Sequence, residues 1–235
     1  RLAPFDLLRW ISHHYGFGTF IHYLNGPLNS ENQEKAKDIL EHLIQQTRDS
    51  EAGLYVDTII SPSFKTAVAQ IVQIPGVSGM DNNSILFEFH RDKRETIGDI
   101  IQGCQFASVV DYNIAVLRSN ERHFGYRQRI DLWLTLGDYR NVGLMILLAY
   151  ILGGHPEWRG AEITLYAAFE EESLDQHVER LNQLIDRGRI PISRNNIQKV
   201  SWKKDGGSFN ELVCGHSSDA DLVILGFSLR KLTAE

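Results

Sequence analysis

Gly137 and Asp138, which follow the apolar run ending at Leu136, and Gly226, which closes a second apolar run, are the residues best placed for ligand chemistry. In open α/β sheets, ligands sit at the carboxyl ends of strands where the strand order reverses, and helix amides there can accept a phosphate. The sequence has neither G-x-G-x-x-G nor G-x-x-x-x-G-K-[ST], so the two common phosphate cradles are absent. Nucleotide binding at Gly137, Asp138 and Gly226 therefore rests on topology, against the plainer reading of two turn glycines and a cap.

Other reactive side chains have structural readings of equal force. His13 and His14 are neighbours on a helix, about 100° apart, and make no i, i+4 metal pair; His22 alternates along a strand. Glu170, Glu171 and Glu172 precede a helix, where negative charge complements the dipole. Ser208, Ser217, Ser218, Asp219 and Asp221 lack the G-x-S-x-G elbow that presents a hydrolase nucleophile. Trp10, Trp133, Trp158 and Trp202 fit cores or interfaces. Neither metal nor cofactor is expected, and no catalytic residue is assigned.

The elements that would carry these residues follow from period. Pro4, Leu7, Leu8, Ile11 and Tyr15 share a helical face, as do Ala36, Ile39, Leu40, Leu43, Ile44 and Thr47, and again Leu174, Val178, Leu181 and Ile185. Ser173 is placed as an N-cap and Gly188 as a stop. Runs such as Ile114 to Leu117 and Ile130 to Leu136 are almost continuously apolar, as strands buried on both faces of a parallel sheet must be. The fold class is α/β.

An internal echo divides the chain. Strand Phe20 to Leu24, a helix over 31–48, strand Tyr55 to Ile60, a helix opening at Ser63 and Phe64, and strand Ile85 to Phe89 are repeated by Ile163 to Phe169, 173–187, Ile197 to Trp202, Ser208 and Phe209, and Leu222 to Phe227. A period of roughly sixty residues exceeds a solenoid unit and indicates two similar halves. The polar joint over 118–129 puts the boundary near Tyr126, giving halves 1–125 and 126–235. The second half opens on a strand, Ile130 to Leu136, and a helix from Asn141; the first opens on the helix, so its matching strand is expected upstream of Arg1.

Composition limits the partners. The charge of −6, from 24 Lys and Arg against 30 Asp and Glu, and the absence of a dense basic stripe exclude a nucleic-acid footprint. With only Cys104 and Cys214, the chain has no disulfide framework or thiolate metal site, and a reducing compartment suits it. Its longest apolar stretch, Leu144 to Leu152, is shorter than the roughly 20 residues that span a bilayer, so this piece is not expected to insert.

The block Arg129 to Leu134, the helix Gly143 to Leu152 and the run Trp158 to Ile163 resemble the carboxy-terminal cytosolic domain of cation-chloride cotransporters. That family has an Ile-Asp-x-Trp-Trp strand, a Gly- and Leu-rich helix and a Trp-Arg pair before the next strand. Ala220 to Leu225 and Asn83 to Phe89 resemble two further family strands. The resemblance covers both halves and is strongest from Arg129 to Phe169, where it resembles the soluble domain of a prokaryotic member. It implies a pair of universal-stress-protein-like (Rossmann-like) halves, mostly parallel sheets covered by helices, beneath the transmembrane transporter domain of the same polypeptide at the cytoplasmic face of the membrane. It further implies a homodimer that regulates coupled chloride and sodium or potassium transport, with no catalysis of its own and the ion sites elsewhere. Leu134 replaces the second tryptophan of the family strand and Glu88 stands where glycine is common. The alternative is a free-standing nucleotide-binding universal-stress-type protein.

Overall fold

The computed structural model describes residues 2–13, 16–47, 53–76, 81–188, 193–202 and 207–229. The chain is α/β, and every strand pair among the described residues is parallel. It clusters into two compact units, Arg1–His123 with Leu229–Glu235, and Phe124–Ser228.

The first unit runs α1 (Ala3–Ile11), β1 (Gly18–Asn25), α2 (Ser30–Thr47), β2 (Leu54–Ser61), α3 (Phe64–Ile71), β3 (Ser84–His90), α4 (Ile97–Val109) and β4 (Asn113–Ser119). β1 pairs with β2, and β3 with β4, as two separate ladders. Helix starts follow local chemistry: Pro4 fills the first turn of α1, where no amide is needed, and the Ser63 hydroxyl accepts from the Thr66 amide at the start of α3. Val68, Phe87, Ile100 and Cys104 form a core between α3, α4 and β3, joined by Phe64 and Leu229. Gly103 fits there because a Cβ would stand 3.0 Å from the Phe87 ring.

The second unit runs β5 (Arg129–Leu134), α5 (Val142–Gly154), β6 (Glu162–Phe169), α6 (Glu171–Gly188), β7 (Ile197–Ser201), α7 (Phe209–His216) and β8 (Leu222–Leu225). Its sheet has the order β7-β6-β5-β8. β5 is thus central, and Ile130, Leu132, Trp133 and Leu134 are each at most 2% exposed. The continuous apolar run that marks a strand covered on both faces is the cause.

Some sequence expectations differ in detail. β5 stops at Leu134, because Thr135 opens a one-turn helix, Leu136–Asp138. β8 stops at Leu225, and β7 at Ser201 before Trp202. α6 starts at Glu171, so Ser173 lies inside its first turn and its hydroxyl donates to the Glu170 carbonyl instead of capping. On α1, Phe5 and Trp10 are 1% exposed although they lie off the Leu7 stripe, because the helix is covered on more than one side. His14 and Tyr15 lie outside the described residues.

Candidate functional site

The strand order of the second unit reverses between β5 and β8, since the chain leaves β5 toward β6 and later returns to pair on the opposite edge. At the carboxyl ends of these two strands the structure brings Asp138 and Gly226 together. The Asp138 carboxylate accepts from the Thr135 amide at 2.8 Å and the Thr135 hydroxyl at 2.6 Å, both through Oδ2. The Asp138 amide donates to the Thr135 carbonyl at 3.0 Å, and the Thr135 and Asp138 side chains each accept from the other's amide as a capping box. The other carboxylate oxygen lies against Gly226: a Cβ built on that glycine would stand 2.0 Å from Oδ1. Asn141 ties the same corner by donating from Nδ2 to the Phe227 carbonyl at 3.0 Å. Gly137 lies in the one-turn helix between Leu136 and Asp138.

Chemically, this corner presents a buried acceptor where a phosphate would need donors. The Thr135 amide, which could face an anion, is already spent on Asp138, and the carboxylate would repel a second negative charge. Gly226 is small so that the carboxylate can approach.

A second constellation begins at the other end of β5. Arg129 donates from Nε to Asp131 Oδ1 at 3.0 Å, and from Nη2 to the Tyr166 hydroxyl at 2.8 Å and the His216 carbonyl at 3.0 Å. Asp131 is fully buried. Its hydrogen bond raises the Arg129 pKa above the ordinary value, and burial chiefly raises that of Tyr166. Trp133 stacks on Tyr166 with centroids 4.4 Å apart and donates to the Ser217 hydroxyl at 2.9 Å. Asp221 accepts from the amides of Tyr126, Gln128 and Arg129, at 3.0, 2.7 and 3.2 Å. These bonds pin α7 and β8 to the central strand. Ser217 and Asp221, which the sequence offers without a nucleophile elbow, both serve this brace.

A third group was not legible in advance. The Tyr139 hydroxyl lies 2.7 Å from His177 Nδ1, His177 stacks on Phe169 at 4.4 Å, and the Arg180 guanidinium lies 4.7 Å above the Tyr139 ring. Burial raises the Tyr139 pKa, with Arg180 opposing. These residues come from the β5–α5 connection, the end of β6 and α6, and no local spacing links them. The remaining histidine and cysteine positions do not converge: among the described residues no three of His, Cys, Asp and Glu are grouped to hold a metal. Cys104 is buried in α4 and Cys214 is exposed in α7. No described helix is long and apolar enough to cross a membrane.

No family model matches the chain. In sequence it is 22% identical over 162 residues to potassium/chloride cotransporter 3 of Caenorhabditis elegans, a stretch that is 64% of this chain and 15% of that relative's length. In structure it is similar, with a TM-score of 0.62 and 18% identity, to the cytoplasmic domain of a prokaryotic cation chloride cotransporter, over 96% of this chain and 81% of the other. The structural likeness establishes the α/β, Rossmann-like fold across both units.

Proposed function

We propose that this chain is the cytoplasmic regulatory and dimerising domain of a membrane cation-chloride cotransporter, joined to the transmembrane transporter domain of the same polypeptide. The observation that carries the reading is the structural likeness over 96% of the chain to the cytoplasmic domain of one such protein. The sequence match to a potassium/chloride cotransporter supports it independently. Transport itself, coupled to sodium or potassium, belongs to the full-length protein, since the chain spans 15% of that relative's length. The chain has no catalytic role in this reading: Arg129, Asp131, Tyr166 and Asp221 tie strands and helices of the second unit together.

The dimer is supported by α5, whose thirteen residues include no charge while Leu147 and Tyr150 are each 51% exposed. A helix that is apolar all round belongs in an interior or an interface. An uncharged face keeps like charges out of direct contact when two copies of a chain with net charge −6 meet. An obligate pair of this kind buries on the order of 2,000 Å² or more.

The test is ion flux. Vesicles carrying the full-length protein should take up potassium or sodium only when chloride is present, and uptake should change when residues 1–235 are removed. Uptake indifferent to chloride would defeat the reading. Nucleotide binding at Gly137, Asp138 and Gly226 is the second reading, on topology alone and against the carboxylate that fills the corner; a saturable heat with ATP that strengthens in Asp138→Asn would favour it.

A further inference from the structure

A groove of about 300 Å³ lies between α2 and β2 in the first unit. It opens because β2 pairs only with β1 among the described residues, and because Ala36, buried on α2, is too small to fill the space. Leu40, Ile59 and Ile60 line it and are only half-buried. The volume is at the lower end for small-molecule clefts, which are mostly apolar with a few placed polar groups.

One wall is a leucine held out to solvent. Leu28 lines the groove and is 77% exposed. Its loop is tied down on both sides: Asn29 Oδ1 accepts from the Asn32 amide at 2.8 Å, and Asn32 Nδ2 donates to the Pro27 carbonyl at 2.9 Å. Gly26, at φ +149°, leaves that side chain its place, since a Cβ there would stand 2.6 Å from Asn32 Nδ2. A scattered surface leucine is ordinary. Here a fixed loop sets one beside an apolar cleft.

The polar groups on the groove are donors. Gln33, Lys37 and Thr58 line it, no carboxylate does, and Lys37 is its one charge. Glu34 and Glu41 lie about one turn to either side of Lys37 on α2, yet among the described residues Lys37 forms no ion pair, whereas Lys35 pairs with Glu31 at 2.6 Å. The backbone argues against a peptide strand as occupant. Gly18 donates to the Gly53 carbonyl and Gly26 to the Ser61 carbonyl, so odd-numbered residues of β2 face β1 and the Thr58 amide lies on the open edge. Asp57 Oδ1 accepts from that amide at 2.7 Å. An added strand would find it occupied, which is one way an edge resists pairing.

We propose that this groove binds a medium-chain fatty acid, with the carboxylate at Lys37 and the acyl chain along Leu28, Leu40 and Ile60. The uncommitted ammonium selects an anion, in a chain whose net charge of −6 repels anions elsewhere. A single cation with two neutral donors suits one carboxylate, and the apolar walls select a hydrocarbon tail whose length the volume limits. Bound, the ligand bridges α2 and β2 and stabilises the first unit, because it binds the folded state alone. The inference does not rest on the cotransporter reading.

Titration of the 235-residue chain with octanoate, followed by amide NMR, tests it. Octanoate should saturate one site with a Kd of about 1 mM or tighter, shifting amides within 28–40 and 58–60. Hexanoate should bind about two- to fourfold more weakly for each methylene lost. Lys37→Gln should weaken octanoate on the order of tenfold while leaving octanol unchanged, and Lys37→Arg should retain it. Leu28→Ser should weaken both ligands. Both side chains are exposed, so these variants keep the fold. No saturable octanoate binding by about 10 mM, or binding indifferent to both Lys37 and chain length, would overturn the proposal. So would a short acidic peptide that shifts these amides where octanoate does not, which would assign the groove to a protein partner.

Discussion

The contact between Gly226 and the Asp138 carboxylate makes residue 226 intolerant of any side chain. Asp138 is 7% exposed and held by two bonds from Thr135, so it cannot swing clear of a Cβ that would stand 2.0 Å from Oδ1. Gly226→Ala should lower stability by about 1–3 kcal/mol, the usual cost of overpacking, in urea unfolding. Asp138→Ala alone should cost about 1 kcal/mol through the lost cap. The double variant should be more stable than the sum of the two, because removing the carboxylate removes the clash. A purely additive double would show that the contact is not there. Both residues stood out in the sequence as a topological corner, yet their contact did not: it joins positions far apart in the chain, and no spacing rule encodes which oxygen meets which glycine. Tyr139, His177 and Arg180 escaped for the same reason. Arg129 and Asp131 are neighbours on one strand face, and their pairing costs most when broken: Asp131→Ala should destabilise by up to about 3–5 kcal/mol, reduced because the Arg129 side chain keeps 32% exposure and can rehydrate. Substituting both with apolar residues should recover much of that loss.

At the scale of elements, α4 carries a thiol whose environment makes a direct pH prediction. Burial pushes the Cys104 pKa up to about 11, from an ordinary value of 9.0. Between these values the unfolded chain loses its proton while the folded chain keeps it, so the folded state loses ground as pH rises from about 9 to about 11. Cys104→Ala should flatten that part of the stability curve. At pH 8 a thiol reagent should modify Cys214 alone in the native protein and both cysteines in urea. On α5, Leu147→Glu should leave the fold intact, because the side chain is half exposed, and should lower the sedimenting mass if the neutral face joins two copies. Elements of this kind were readable from the sequence, because helix stripes and continuous apolar runs are local signals with a fixed period. Their ends were less so. Thr135 breaks β5 two residues before its apolar run stops, and Glu171 starts α6 ahead of the serine that resembles a cap.

For the molecule as a whole, the repeat of element order across the two units was legible because each strand–helix alternation spans enough residues to be seen twice. The first unit follows α1-β1-α2-β2-α3-β3, and the second follows the same alternation from α5 to β8. The grouping of Leu229 with the first unit was not legible, since it is a packing contact with Val68, Phe87, Ile100 and Cys104 from the opposite end of the sequence. The central place of β5 also bears on synthesis. It emerges before every other strand of its sheet, and one of its edges stays without a mate until β8, the last strand, has been made. At roughly 5–20 residues per second, the intervening stretch of about ninety residues leaves that ribbon of Ile130, Leu132, Trp133 and Leu134 open for on the order of ten seconds. A nascent chain stalled before Leu222 should therefore be the form that aggregates and recruits chaperones.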